Sequence, residues 1–369
     1  MIRLLQLNDT NTQYPMSQLN KRQLDILEKI STEETISSSD VLKVLSEKIS
    51  LVTIKRDLEY LVELKYLDRK GKGRGTVYEK TILGVLFSPI DASKYNEIEP
   101  DARNGASNFN FSLFEKFPQD IFSSEEKEIL DNATKNYKEK IKGITPVAQS
   151  KELERFIIEL SWKSSKIEGN TYTLLDTERL LREGIFAEGH TADEATMIIN
   201  HKKAFSFILG NIEHLGKNGI TAGFIEKIHE LLTSGFGVSK GVRQGLVGII
   251  GAKYKPLDNK YQINEALDSL YKTINNMKNA YSKALTILLG ISYIQPFEDG
   301  NKRTARLLCN AVLLSLGCAP LSYRSVNENN YRESILVFYE KNSLISMKKI
   351  FIEQYIFSAE NYLVKQFLT

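Results

Sequence analysis

The chain has little that would tie it to metal, membrane or disulfide chemistry. Only 2 cysteines occur in 369 residues. Both Cys309 and Cys318 lie in or beside an apolar helical run, so they read as reduced core residues of a cytosolic protein. No Cys or His pair near them has ligand spacing, which argues against a metal or redox role. No apolar run approaches about 18 uncharged residues, so no membrane span is expected. Met1 to Gln6 is too short for a signal peptide, and Met16 is an alternative start, which makes residues 1–17 a flexible leader. The net charge of +3 is too small to name a partner. No Gly-x4-Gly-Lys-Ser/Thr run is present, which disfavours a phosphate-loop NTPase. There is no internal repeat and no low-complexity tract. What remains is ordinary soluble composition, 42% apolar and 26% charged, in a chain long enough for two domains.

The informative stretch is Gln295 to Arg306, Gln-Pro-Phe-Glu-Asp-Gly-Asn-Lys-Arg-Thr-Ala-Arg. Before it, Tyr281 to Ile294 is apolar on nearly every face, the pattern of a buried helix. After it, Leu307 to Leu316 is again apolar, and Gly317 and Pro320 supply a helix stop. A charge cluster between two buried helices is costly unless something compensates it. Gly300, Asn301 and Lys302 stand just before a helix start, where backbone N–H groups are unpaired and the helix dipole is positive. Arg303 and Arg306 project from one helix face, and guanidinium forks suit phosphate oxygens. Asp299 would repel phosphate unless Mg²⁺ lies between them. These residue types together read as a cradle for a Mg-nucleotide polyphosphate.

The run resembles the signature of the Fic family, His-x-Phe-x-Asp/Glu-Gly-Asn-Gly/Lys-Arg-x-x-Arg. Phe297, Asp299, Gly300, Asn301, Lys302, Arg303 and Arg306 meet the pattern, and Pro296 supplies the customary proline. Gln295 stands where the family has histidine. The resemblance implies transfer of AMP from Mg-ATP to a protein hydroxyl. It implies that Asp299 helps hold Mg²⁺, that Asn301 and Arg303 hold the α- and β-phosphates, and that Arg306 holds the γ-phosphate. The family histidine takes the proton from the attacking hydroxyl, and a carboxamide cannot. That departure leaves two readings open: a slowed adenylyltransferase, or a nucleotide-sensing pseudoenzyme.

Lys151 to Glu168 has the apolar stripe of a helix. Glu168 at its C-terminal end opposes the dipole by about 0.3–1 kcal/mol and should have a cationic partner. Ser164 to Asn170 resembles the family's inhibitory motif, Ser/Thr-x-x-x-Glu-Gly/Asn. By that resemblance Glu168 pairs with Arg306 and obstructs the γ-phosphate. The flanking segments Leu174 to Leu181, Asp193 to Leu209 and Thr221 to Phe236 read as helices, and His190, His201, His214 and His229 as packed residues rather than a replacement base. Val247 to Ile263 reads as a β-hairpin turning at Pro256 to Asn259, with Arg243 as its anchor. In relatives such a flap pairs with the target segment by strand addition. Asn327 and Tyr331 fall where relatives close over the adenine.

The N-terminal part resembles, more weakly, a winged helix-turn-helix over 18–82. Three short amphipathic helices precede a glycine-rich basic hairpin, Leu67 to Lys80. Thr53, Lys55, Arg56 and Glu59 fall off the apolar stripe of the third helix, and Lys70, Lys72 and Arg74 lie on the wing. In that module the third helix enters the major groove and the wing tracks phosphate. DNA, a partner protein or a second copy of the chain all remain as partners. Residues 83–149 read as a linker followed by a solvated connecting helix that starts at the Ser123/Glu126 capping box. The expectation is thus a mostly α chain: leader 1–17, winged helix 18–82, linker 83–149, and a Fic-type helical domain with a small hairpin flap over 150–369.

Overall fold

The structure is a computed structural model, and it describes residues 19–30, 35–45 and 49–364. The expected leader 1–17 lies outside the described residues. The N-terminal unit comprises α1 (Lys21–Lys29), β1 (Ile36–Ser37), α2 (Ser38–Val44), α3 (Leu51–Glu63), β2 (Leu67–Lys70) and β3 (Val77–Lys80). The strands form one antiparallel sheet in the order β1-β3-β2, with Arg69 opposite Tyr78. Each helix starts at a side-chain cap: Asn20 with a Gln23 capping box, Ser37, and Ser50. Ile26, Leu27, Val41, Ile54, Leu58 and Leu61 close the small core.

Residues 83–149 are not a linker. They hold α4 (Ile82–Leu86), α5 (Ala92–Asn96), α6 (Ser112–Glu115) and α7 (Ser124–Lys142). Arg103 and Glu340 form a buried ion pair at 3.2 Å. The α7 capping box forms as expected. The helix is nevertheless not a solvated connector, because Leu130, Thr134 and Tyr137 are buried. Three buried positions along one face are enough to dock a helix whose remaining positions are mostly polar or charged.

The helical domain follows with α8 (Pro146–Ile167), α9 (Leu174–Glu183), α10 (Ala192–Leu209), α11 (Ile212–Asn218), α12 (Ala222–Leu232), α13 (Lys260–Asn276), α14 (Ala280–Ile294), α15 (Asn301–Ser315), α16 (Glu328–Lys341) and α17 (Ile345–Asn361). Helix α8 starts one turn earlier than its apolar stripe suggests, because Thr145 caps it and Pro146 occupies its first turn. The antiparallel pair α14 and α15 is the centre, flanked by α8, α10, α11, α12, α13 and α16. Thirteen of the 15 residues of α14 are buried. Gly290 permits the close approach of α13, since a Cβ there would fall 2.5 Å from Leu270 Cδ1. The rigidity of this pair fixes the elbow between them.

The expected hairpin at 247–263 does not form. Residues 247–259 contain no strand, and Lys260 to Ile263 is the first turn of α13, capped by Asn259. The β-prone residues Val247, Ile249 and Ile250 therefore have no returning strand to pair with. Leu246 and Ile250 are left 79% and 100% exposed.

Candidate functional site

Gln295 ends α14 in the left-handed region, φ 51° and ψ 59°, a conformation that costs a non-glycine residue about 1 kcal/mol. The surroundings hold it there. Its carbonyl accepts from Arg243 Nε at 2.7 Å, and Pro296 O accepts from Arg243 N–H at 3.0 Å. Arg243 is buried, and its remaining guanidinium N–H groups donate to the carbonyls of Gly245 and Leu257. The expected anchor thus ties both ends of the 245–257 segment to the elbow. The Gln295 carboxamide turns inward: Nε2 donates to Ser292 O at 2.6 Å and to Tyr339 Oη at 3.4 Å.

The elbow is cross-braced by its own residues. Asn301 Oδ1 accepts from Phe297 N–H at 2.9 Å, and Asn301 Nδ2 donates to Phe297 O at 2.8 Å. The Asn301 side chain, expected on phosphate, is therefore first of all a loop brace, with one lone pair and one N–H left over. His229 stacks flat on Phe297, ring centroids 3.8 Å apart, and its Nε2 donates to the Asp299 carbonyl at 2.9 Å. Burial pushes the His229 pKa down, so the ring is neutral. It is a packed histidine as expected, yet it supports the elbow, which nothing in its spacing announces. Gly300 takes φ 76° as the residue before α15, and a Cβ there would press within 3.0 Å of Thr233 Cγ2.

Helix α15 has no side-chain cap. Its first-turn N–H groups thus have no capping side chain, an arrangement that suits an anion. Three cations stand around that opening. Arg303 is buried, donates through Nη2 to Asp299 Oδ2 at 2.9 Å, and leaves Nη1 buried without a partner. Lys302 Nζ meets Glu168 Oε2 at 3.3 Å. Arg306, fully buried, donates through Nη1 to Glu168 Oε1 at 2.8 Å, through Nε to Ser164 Oγ at 2.9 Å, and through Nη2 to Ser164 O at 2.8 Å. Tyr331, in the first turn of α16, lies 5.7 Å from the Arg306 guanidinium. Burial alone would raise the Glu168 pKa, but the charges of Arg306 and Lys302 outweigh it and hold the carboxyl at about 2. Ser164, Glu168, Lys302 and Arg306 thus meet in one place, although 138 residues separate Glu168 from Arg306.

Asp299 is 67% exposed. Among the described residues no group of three or more His, Cys, Asp or Glu could hold a metal. A cation here would rest on Asp299 together with phosphate oxygens and water, a common arrangement for Mg²⁺. The orphaned Arg303 Nη1 beside it fits an anionic co-ligand.

The residues predicted for DNA are spread along α3 and the wing. Lys55, Arg56, Lys72 and Arg74 are exposed. Thr53 is half-buried and shares a 2.9 Å hydrogen bond with Ser50 at the start of α3. Lys70 pairs with Glu79 at 2.7 Å. Glu59 does not face outward freely: it accepts from Tyr78 Oη at 2.9 Å and from Arg69 at 3.2 Å, tying α3 to the wing.

Several contributors escaped the sequence reading. Glu340, buried in α16, accepts from Arg103, from Tyr95 Oη at 2.8 Å and from Lys253 N–H at 2.9 Å, and so anchors the base of the 245–257 segment. Lys163, Glu328 and Arg332 join α8 to α16. These contacts are long-range, and no local spacing marks them.

Known proteins resemble this chain in sequence and in fold. The Fic/DOC family model matches residues 219–313. A protein adenylyltransferase Fic of Nematostella vectensis is 26% identical over 175 residues, 47% of this chain and 41% of that protein. A probable protein adenylyltransferase of Aquifex aeolicus is 29% identical over 133 residues, 36% of this chain and 40% of that protein. The chain thus spans about two fifths of the length of the curated relatives it matches. Among solved structures, Fic-1 of C. elegans superposes with a TM-score of 0.55 at 20% identity, covering 65% of this chain and 72% of that one. A Fic domain-containing signalling protein of Bacteroides thetaiotaomicron gives 0.52 at 20% identity, covering 63% and 95%. The fold is mostly helical with a small three-stranded sheet, and it is shared with these Fic structures. The elbow from Gln295 to Arg306 falls inside the segment, 219–313, that the Fic/DOC family model matches.

Proposed function

We propose that the elbow binds Mg-ATP and supports transfer of AMP to a protein hydroxyl, restrained by Glu168 and slowed by Gln295. The observation that carries this reading is the Glu168 carboxylate, held by Arg306 and Lys302 beside an uncapped helix start and an orphaned Arg303 N–H. A carboxylate there stands in for a phosphate oxygen. Gly300, Asn301 and Lys302 offer backbone N–H groups and the dipole of α15 to the polyphosphate. Arg303 and Arg306 clamp it bidentately. Asp299 would hold Mg²⁺, which would supply charge neutralisation at the phosphates. Glu168 must leave Arg306 before a γ-phosphate can take its place.

The attacking hydroxyl finds no base at position 295, because an amide has no accessible basic pKa. The missing general-base contribution is about 10²–10⁴-fold. Positioning and charge stabilisation by the cradle remain. The irregular 247–259 segment, with Ile250 fully exposed, receives the target chain. The N-terminal unit works as a winged helix, with Lys55 and Arg56 of α3 and Lys72 and Arg74 of the wing meeting DNA. A second reading, a nucleotide-sensing regulator without transfer, is favoured by the inward turn of the Gln295 amide towards Ser292 O.

The test incubates labelled Mg-ATP with the wild type, Glu168→Gly, Gln295→His and the double variant. The double variant is expected to label itself about 10²–10⁴-fold faster than Glu168→Gly. Equal rates would remove position 295 from the proton transfer and leave the regulator reading in place.

A further inference from the structure

The last-turn carbonyls of a helix have no intrahelical partners. At the end of α8 one of them is claimed from outside. The carbonyl of Ile167, the residue before Glu168, accepts from Arg332 Nε at 2.8 Å and from Arg332 Nη2 at 2.6 Å. One turn earlier on α8, buried Lys163 pairs with Glu328 of α16 at 2.6 Å. Arg332 does not touch Arg306, Lys302 or Glu168 in any of its hydrogen bonds among the described residues. A helix C-terminus favours a cation such as Arg332 and disfavours an anion such as Glu168.

We infer that Arg332 is a positioning residue for the obstruction. By clamping the Ile167 carbonyl it fixes the backbone from which Glu168 reaches Arg306. The inference rests on the autoinhibitory reading of Glu168 proposed above. Without the clamp, the end of α8 frays, Glu168 spends less time on Arg306, and the nucleotide meets a weaker competitor. The device lies on α16, so anything that shifts α16 would tune the obstruction without touching the phosphate site.

The experiment is calorimetric titration of Mg-ATP into the full chain in four forms: wild type, Arg332→Ala, Glu168→Gly, and the two combined. Thermal melts check folding of each, and Arg332→Gln, which keeps a single donor to the carbonyl, serves as a milder variant. Arg332→Ala is expected to tighten binding about 3- to 10-fold, the effect of losing one charge-assisted clamp. Arg332→Gln should fall between it and the wild type. In the Glu168→Gly background Arg332→Ala should change affinity by less than about twofold, because there is then no carboxylate to position. A purely structural arginine would act equally in both backgrounds, and that result would overturn the inference. Tightening by Glu168→Gly together with no response to Arg332→Ala or Arg332→Gln would also overturn it while sparing the autoinhibitory reading. Failure of Glu168→Gly to tighten binding would remove both.

Discussion

The elbow and the N-terminal wing both gather basic side chains, but they treat them in opposite ways. Arg303 and Arg306 are buried, and each is held at defined distance by a carboxylate, Asp299 of the elbow or Glu168 at the end of α8. Lys55, Arg56, Lys72 and Arg74 stand exposed on a unit that is complete without them. Burying a cation costs several kcal/mol, so a buried arginine demands an explanation in its neighbours. An exposed lysine demands none. Geometry therefore speaks for a ligand at the elbow, whereas at the wing only the charge pattern does.

The comparison breaks most directly at Arg306. Arg306→Met leaves Glu168 buried without its main cation and cuts two ties to Ser164, and urea unfolding should report a loss of about 3–5 kcal/mol. Lys72→Ala, by contrast, should stay within about 0.5 kcal/mol of the wild type. Similar losses at the two sites would mean that burial does not separate them.

Acid sharpens the same contrast. The folded pKa of Glu168 is depressed to about 2 from an ordinary value of 4.5. A depressed carboxylate adds stability that is present above its unfolded pKa and is lost as pH falls through the folded one. The Arg306–Glu168 contribution should thus fade between about pH 4.5 and 2, by up to about 3 kcal/mol. Glu168→Gln should flatten that part of the stability curve. A Glu168→Gln curve parallel to the wild type would place the carboxylate in an environment unlike the one described.

The smallest effect belongs to the wing. If it tracks phosphate, binding of a DNA duplex in a gel-shift series should fall steeply with salt. Arg74→Ala should reduce the logarithmic salt slope by about 1. Binding that ignores salt, or no binding, would turn the unit towards a protein partner.

How far the sequence foretold the site depends on distance along the chain. The elbow was legible because its signal is local: polar residues in one run between two apolar helices. Glu168 was legible as a misplaced helix-end charge in need of a cation, and the resemblance named Arg306 as that partner. The brace role of Asn301, the support from His229, and the ties from Arg332 and Glu340 were not legible. Each depends on where another element lies, and residue type carries no trace of that. The flap failed for a related reason. Val247 to Ile250 has strand composition, but a strand needs a partner, and Asn259 instead starts a helix. The stretch 83–149 was misread because its polar composition suggested solvent, while three buried positions sufficed to dock α7.

The central claim is that the elbow grips Mg-ATP and that Glu168 occupies the grip. Calorimetric titration of Mg-ATP into the wild type, Glu168→Gly and Glu168→Gly/Arg306→Met measures it directly. Weak binding by the wild type is expected, with at least about tenfold tighter binding once Glu168 is gone and loss of that gain when Arg306 is also replaced. Equal affinity in all three proteins, or no binding by Glu168→Gly, would contradict it.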